Sequence, residues 1–468
     1  MRTLFIILFI FLFNVLFANK SINNELPDSG MIVVHKIIIE GNKITKDYIV
    51  LRELLLKEGD TLLNKDLSER IKKSSENVMN TSLFNFVTIM PEFDNKNGVK
   101  INIKLIERWY VWPIPEFNLA DRNFNTWWKT KDFNRVNYGI DLTAYNFRGR
   151  KETLSFIFSL GYDENYGIAY TIPYLDNKKT LGLTFEGGIM RNHEVAYNTT
   201  DNKIEFFKET DTYLKKQIYS TLGFTYRRSI HYIHTLNLSY FNYYFADTLL
   251  NLNKDYSINK NTFTGFLSLS YHFKIDYRDY RPYPLKGSYF DIKYIKNGMG
   301  LLTNEEINTY SIESSIRKYW KLNQRLYFAS GLTLMHSSES PYFLNNGLGY
   351  GRDFVRSYEY YVINGQSFGL LKTNIKYNLI PPKVKKINIV KTEKFNTIPY
   401  AFYVNLFADA GYVKSKESEL INPLNNQLLL GGGIGLDFVT YYDKVIRIEY
   451  SINKKGESGV FIHFMTSI

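Results

Sequence analysis

The sequence predicts an all-β transmembrane barrel of about sixteen antiparallel strands, preceded by one small α+β domain. Three observations carry this reading. Segments of about ten residues alternate apolar and polar character from residue 109 onward. Aromatic residues make up 16% of a chain whose mean hydropathy is only −0.26. The N-terminus holds one leader-like apolar run, and no later stretch repeats its length without a charge or a turn residue.

In that first run, Arg2 supplies a positive charge, Leu4 to Phe17 is apolar apart from Asn14, and Ala18 is small enough for cleavage. Its length suits the apolar region of a signal peptide and falls short of the roughly 18 residues a membrane anchor needs. Residues 1–18 are therefore expected to be a signal peptide, with the mature chain exported. A mature membrane protein without apolar helices must cross by strands. The 38 Tyr and 34 Phe then have a place, because a barrel gathers aromatic rings at both membrane interfaces and alternates apolar outward with polar inward residues. Cysteine is absent, which removes disulfides, thiolate metal sites and cysteine nucleophiles. The net charge of +12 is spread along the chain rather than gathered on one face, so a nucleic-acid partner is not expected. A basic lumen or contact with anionic lipid and lipopolysaccharide heads accounts for it.

Residues 31–108 read differently from the rest. Val33 to Ile39 is a short strand ended by Glu40-Gly41-Asn42, and Thr45 is the expected N-cap of a helix carrying Ile49, Leu51, Leu54 and Leu55. Gly59-Asp60 breaks it. A second helix is expected from Asn64 to Met79, with Leu67, Ile71 and Val78 on one side, then strands Phe84 to Phe93 and Val99 to Glu107. A generic α+β domain would satisfy this β-α-α-β-β order. Glu40-Gly41-Asn42, Glu58-Gly59-Asp60 and Ser82-Leu83-Phe84-Asn85-Phe86-Val87 go further, and with them the segment resembles a POTRA domain, whose signature would fall on Gly41, Asn42, Gly59, Phe84 and Val87. A three-stranded sheet leaves an unpaired edge, expected at Phe84 to Glu92, which could add a client peptide as a further strand.

From Trp109 onward the period is two. Leu236, Leu238 and Tyr240 share one face against Asn237 and Ser239; Ile446, Ile448, Tyr450 and Ile452 oppose Arg447, Glu449 and Ser451. Sixteen such strands are expected near 113–120, 137–146, 151–161, 165–174, 180–190, 213–226, 231–244, 261–274, 288–297, 306–319, 324–335, 366–379, 399–412, 427–438, 443–452 and 457–464. An even count suits a closed bacterial barrel, with both ends on the periplasmic side. Outward loops at 191–212, 245–260, 336–365 and 413–426 are long; inward turns such as Arg148-Gly149-Arg150 and Tyr441-Tyr442 are short. The inward segments 275–287 and 380–398 are exceptions. A secreted sandwich or propeller is the competing reading, and lipid-length strands with this aromatic density argue against it.

Three motifs narrow the kind of barrel. The longest outward loop holds Gly349-Tyr350-Gly351-Arg352-Asp353-Phe354-Val355-Arg356-Ser357-Tyr358. Strand thirteen holds Phe407-Ala408-Asp409-Ala410-Gly411. The exceptional turn holds Asp276, Arg278, Asp279, Pro284 and Gly287. Together with the front domain, 109–468 resembles the barrel of the Omp85 superfamily, the surface-antigen barrels. Val355, Arg356 and Tyr358 match its loop-six motif, with Ser357 where the family has Gly; Phe407, Asp409 and Gly411 match its strand-thirteen motif. Alternation independently puts Asp409 on the polar face of its strand. The resemblance implies that loop six folds into the lumen and that Arg356 pairs with Asp409. Glu457 to Phe464 fits the C-terminal pattern of barrels that are inserted by an assembly machine.

No Gly-x-Ser-x-Gly elbow, phosphate-binding loop or His-Glu-x-x-His occurs, so neither enzyme activity nor a cofactor is expected. His231 and His234 fall in an expected inward turn without a third ligand, and no metal site is expected. The resemblance implies an outer-membrane protein with its POTRA-like domain in the periplasm. It would fold or insert unfolded β-barrel clients through a seam between first and last strands, where Pro113 and Pro115 cannot donate ladder hydrogen bonds. A translocation pore for a secreted polypeptide and a plugged surface antigen are the alternatives. Periplasmic or lipoprotein partners would accompany the first.

Overall fold

The computed structural model describes residues 30–94, 98–119, 128–129, 136–161, 163–209, 212–303 and 305–464. The expected signal peptide, residues 1–18, lies outside them. No helix among the described residues is long and apolar enough to cross a membrane, a test that does not bear on barrels.

The front unit runs β1 (Met31–Glu40), α1 (Asp47–Leu51), β2 (Thr61–Leu63), α2 (Asn64–Met79), β3 (Phe84–Phe93) and β4 (Gly98–Glu107). The sheet has four strands in the order β2-β1-β4-β3, not three, because Thr61–Leu63 pairs antiparallel with Met31–Val33. Among the described residues strand β3 pairs only with β4 and forms an edge. Alternate residues of β4, Val99, Ile101, Ile103 and Leu105, bury under the helices with Ile49, Val50, Leu67 and Val78. Thr45 is not the cap. Lys46 holds that position without a side-chain bond. The Thr45 hydroxyl instead donates to Glu107 at 2.7 Å, and it accepts from Asn146 of the barrel at 2.8 Å.

The barrel strands are β5 (Val111–Leu119), β6 (Val136–Phe147), β7 (Glu152–Gly161), β8 (Asp163–Ile172), β9 (Leu181–Asn192), β12 (Lys215–Tyr226), β13 (Tyr232–Phe245), β14 (Phe263–Asp276), β15 (Gly287–Asn297), β16 (Thr309–Lys321), β17 (Leu326–Ser337), β20 (Ser367–Lys386), β21 (Thr397–Lys414), β22 (Leu428–Thr440), β23 (Val445–Asn453) and β24 (Ser458–His463). Between them, β10 (Glu194–Thr200) pairs with β11 (Lys203–Lys208) inside an outward loop, and β18 (Gly347–Leu348) pairs with β19 (Ile363–Asn364) inside loop six. The sixteen barrel strands form one sheet in sequence order from β24 to β5, each antiparallel to the next. Laid flat at about 4.8 Å per strand, β5 and the β22–β23 turn would stand roughly 65 Å apart. Arg108 and Asp443 are 2.8 Å apart, so the sheet curls back on itself. No ladder joins β5 to β24 among the described residues.

Alternation sets the two faces. Leu236, Leu238, Leu406, Ile448, Tyr450 and Ile452 are exposed outward, whereas Asn405, Asp409, Arg447, Glu449 and Ser451 are buried inside. Two expectations change. The 380–398 segment is not a long turn: β20 and β21 continue past the barrel rim, pairing as far as Lys386↔Thr397, with Pro381 and Pro382 held in a bulge. His234 is not in a turn but within β13, facing outward beside Tyr271.

Candidate functional site

The outward loop between β17 and β20 turns into the barrel and fills its lumen. Its apolar residues Leu348, Val355, Tyr358 and Ile363 pack against Phe368 and Leu370 of β20, Val413 of β21 and Leu429 of β22. The descent is possible because β21 and β22 present glycine where the loop touches. A Cβ at Gly431 would stand 2.0 Å from the Arg356 carbonyl oxygen, and one at Gly411 would stand 2.5 Å from Val355 Cγ2. Gly411 of the strand-thirteen motif therefore makes room for Val355 of the loop motif.

At the bottom of this descent Arg356 meets Asp409. Nε donates to Oδ2 at 2.7 Å and Nη2 to Oδ1 at 2.5 Å, the two-pronged geometry that a guanidinium offers a carboxylate. The Arg356 backbone N–H adds a third bond to Oδ2 at 3.2 Å. The remaining donors reach Asn374 Oδ1 at 2.9 Å and the Thr373 carbonyl at 3.1 Å, and the guanidinium carbon sits 3.9 Å from the centre of the Phe407 ring. With side chains 4% and 0% exposed, the pair lies out of water. Ser357 stands at φ +77°, the left-handed region that favours glycine.

A second pair lies nearer the inward mouth. Arg447 of β23 donates to both oxygens of Asp437 of β22, at 2.6 and 2.8 Å, with side chains 3% and 0% exposed. Asp437 also accepts from Asn405 at 2.9 Å and from the Tyr283 hydroxyl at 2.7 Å. Tyr283 belongs to the turn 277–286, which explains that turn's length: it inserts a ring into the lumen. At its root Arg278 closes on Asp276 through two side-chain bonds of 2.8 Å, and the Leu285 N–H donates to Asp279 beside Pro284, just before Gly287 opens β15. His231 stacks on Tyr277 of the same turn and bonds the Asp276 carbonyl oxygen at 2.7 Å.

Beneath the turns the front domain docks across the inward mouth, touching six of the seven inward turns. Lys46 N–H donates to the Gly149 carbonyl at 2.9 Å; Arg52 reaches the carbonyls of Lys179 and Arg227 at 2.8 and 2.7 Å. Asn80 donates to the Asp279 carbonyl at 3.0 Å and accepts from the Arg281 N–H at 2.9 Å; Asn85 donates to the Lys394 carbonyl at 2.9 Å. Ser82 and Arg108 both bond Asp443. The buried Glu53 anchors the centre, accepting from Arg227 at 2.6 and 2.8 Å. Burial pushes the Glu53 carboxyl up, but the Arg227 guanidinium overrides it and holds it down at about 2. The POTRA signature residues shape the domain rather than this contact. Asn42 follows Gly41 and bonds the Thr45 carbonyl at 3.0 Å, the Gly59 N–H donates to the Val34 carbonyl at 2.8 Å, Phe84 is fully buried, and Val87 packs on the same core.

On the outward side the β10–β11 hairpin, missed within the 191–212 loop, bends over the plug. The backbone N–H of Asn202 at its tip bonds Asn422, its side chain bonds Asn425, and its carbonyl accepts from the Val362 N–H at 2.7 Å. One further cluster, Glu359, Glu449 and His463, was also not anticipated, because its members come from a loop and two strands with no shared spacing.

A family model described as "POTRA: Surface antigen variable number repeat" matches residues 32–108. No curated protein matches the chain in sequence. Among solved structures, BamA from Haemophilus ducreyi lacking POTRA domains 1–3 is similar over 93% of this chain and 83% of its own, with 16% identity and a TM-score of 0.50. CdiB from Escherichia coli aligns over 96% of this chain and 91% of its own, at 11% identity and a TM-score of 0.49. Residues 32–108 are thus a POTRA domain, and the remainder has the fold of the BamA barrel, a single sixteen-stranded antiparallel sheet.

Proposed function

We propose that this protein works in the bacterial outer membrane, POTRA domain in the periplasm, as a factor that folds or inserts other β-barrel chains, by binding rather than by catalysis. The seam between β5 and β24, where no ladder joins the described residues, is the observation that carries this reading. Tyr145 N–H donates to the Tyr110 carbonyl at 2.7 Å, so even-numbered positions at the start of β5 face β6. Alternation then turns Pro113 and Pro115 toward the free edge, which lacks two ladder donors. A seam without a ladder is cheap to part, and an unfolded client strand can pair with either exposed edge. Edge strand β3, with Met90 and Phe93 exposed, is the natural first docking place for the client. Lipid and lipopolysaccharide meet the apolar outward face, and a periplasmic or lipoprotein partner would bind the POTRA domain.

Locking the seam by a disulfide between cysteines placed in 116–120 and in 458–462 is expected to abolish insertion of a client barrel into vesicles. A locked barrel that still inserts clients overturns the proposal. Depletion in cells separates the alternatives: broad loss of outer-membrane barrels supports assembly, loss of one secreted protein indicates translocation, and no change indicates display. Translocation also requires loop six to leave the lumen, against the buried Arg356–Asp409 pair, and the Tyr283 ring to leave the inward mouth.

A further inference from the structure

Three titratable side chains converge where loop six passes the last two strands. Glu359 lies on loop six just past Arg356, Glu449 on β23 and His463 on β24. His463 Nε2 is 3.2 Å from Glu359 Oε1 and 3.2 Å from Glu449 Oε2, and the three atoms all lie within 4.8 Å of one another. Both carboxylates are 1% exposed and the imidazole 17%. Glu449 presents Oε1 to Arg356 and Arg447, each at 3.5 Å. Its buried Oε2 points into the cluster and makes no hydrogen bond there; nor does His463 Nε2.

One imidazole nitrogen carries a single N–H, which cannot point squarely at both carboxylates it faces. A metal ion can bind all three groups at once. Imidazole nitrogen and carboxylate oxygen bind zinc at about 2.0–2.2 Å, so two such ligands stand about 3.4 Å apart on a tetrahedral ion and about 3.0 Å apart on an octahedral one. The observed 3.2 Å falls between these. One imidazole with two carboxylates is a donor set for zinc or a similar divalent ion, with a position left open for water.

We propose that Glu359, Glu449 and His463 form a divalent-cation site that ties loop six to the last two strands. The ion would join the plug to the seam strand β24, opposing both expulsion of the loop and peeling of the edge.

The test uses the full chain refolded in detergent and stripped with EDTA. Titration with Zn2+ is expected to show one equivalent bound, and Co2+ to give the visible absorption bands of a protein-bound ion. Glu359→Gln and His463→Asn are each expected to weaken Zn2+ binding at least ~100-fold, the upper end of what losing an outer partner costs a metal site. His234→Asn, on the outward face, is expected to bind as the unmodified protein does. Heat-modifiable gel migration checks folding, and Glu359→Gln, a loop change, keeps the test open if His463→Asn misfolds. Absence of stoichiometric binding overturns the proposal, as does one equivalent retained in the folded variants. Stability that follows pH but ignores Zn2+ and EDTA would mark a proton-bridged cluster and overturn it as well.

Discussion

Replacing Arg356 by alanine leaves the Asp409 carboxylate fully buried with the backbone N–H at 3.2 Å but without its two guanidinium bonds. Losing one partner of a desolvated pair costs on the order of 3–5 kcal/mol, and this change belongs in that range. Asp409→Ala is milder, because the guanidinium keeps Asn374, the Thr373 carbonyl, Glu449 and the Phe407 ring. The double variant should then cost little more than Arg356→Ala alone, a coupling of about 2–3 kcal/mol. Urea unfolding in lipid vesicles, followed by heat-modifiable migration, measures all four corners of the cycle. Single effects that add to within about 0.5 kcal/mol would refute the reasoning, since independent sites behave that way.

Ser357→Gly is expected to raise stability by about 1 kcal/mol, because glycine holds φ +77° without a Cβ penalty; an unchanged or lowered urea midpoint counts against strain at this residue. Gly431→Ala is expected to cost about 1–3 kcal/mol by forcing loop six off β22, and protease sensitivity of the 338–366 loop should rise with it. Docking of the POTRA domain should weaken with acid. The Glu53 carboxyl is held down at about 2 against an ordinary 4.5, so its contribution is complete above pH 4.5 and lost as pH falls toward 2. That interval is worth about 3 kcal/mol. Cross-linking of domain to barrel should fall over it, and Arg227→Ala should remove both the contact and the acid dependence.

Much of this was legible in sequence because a sheet with one wet face must alternate. Arg447, Glu449 and Ser451 were placed inward by that rule alone, and so was Asp409. The Asp437–Arg447 pair was there to be read: a turn centred near Tyr442 puts residue 437 opposite residue 447. Taken singly, each is an ordinary lumen charge, so neither stands out in the sequence. The expected strand stops at 379, just before Pro381-Pro382, whereas a bulge absorbs two residues without N–H donors and the strand goes on. Thr45 looked like a cap because the residue type fits, but tertiary contacts with Glu107 and Asn146 claimed its hydroxyl. The hairpin inside the 191–212 loop is too short for its alternation to stand out.

The docked interface escapes sequence reading for a different reason. Its acceptors on the barrel side are largely main-chain carbonyls: those of Gly149, Lys179, Arg227, Asp279 and Lys394. Main-chain oxygens are the same whatever side chain sits above them, so those turns can drift in sequence while the lid keeps its seat. The selective burden falls on the domain's donors, Arg52, Asn80 and Asn85, and on the charged anchors Glu53–Arg227 and Arg108–Asp443. Across a set of descendants, the lid's underside should therefore hold steady while the rim it rests on varies.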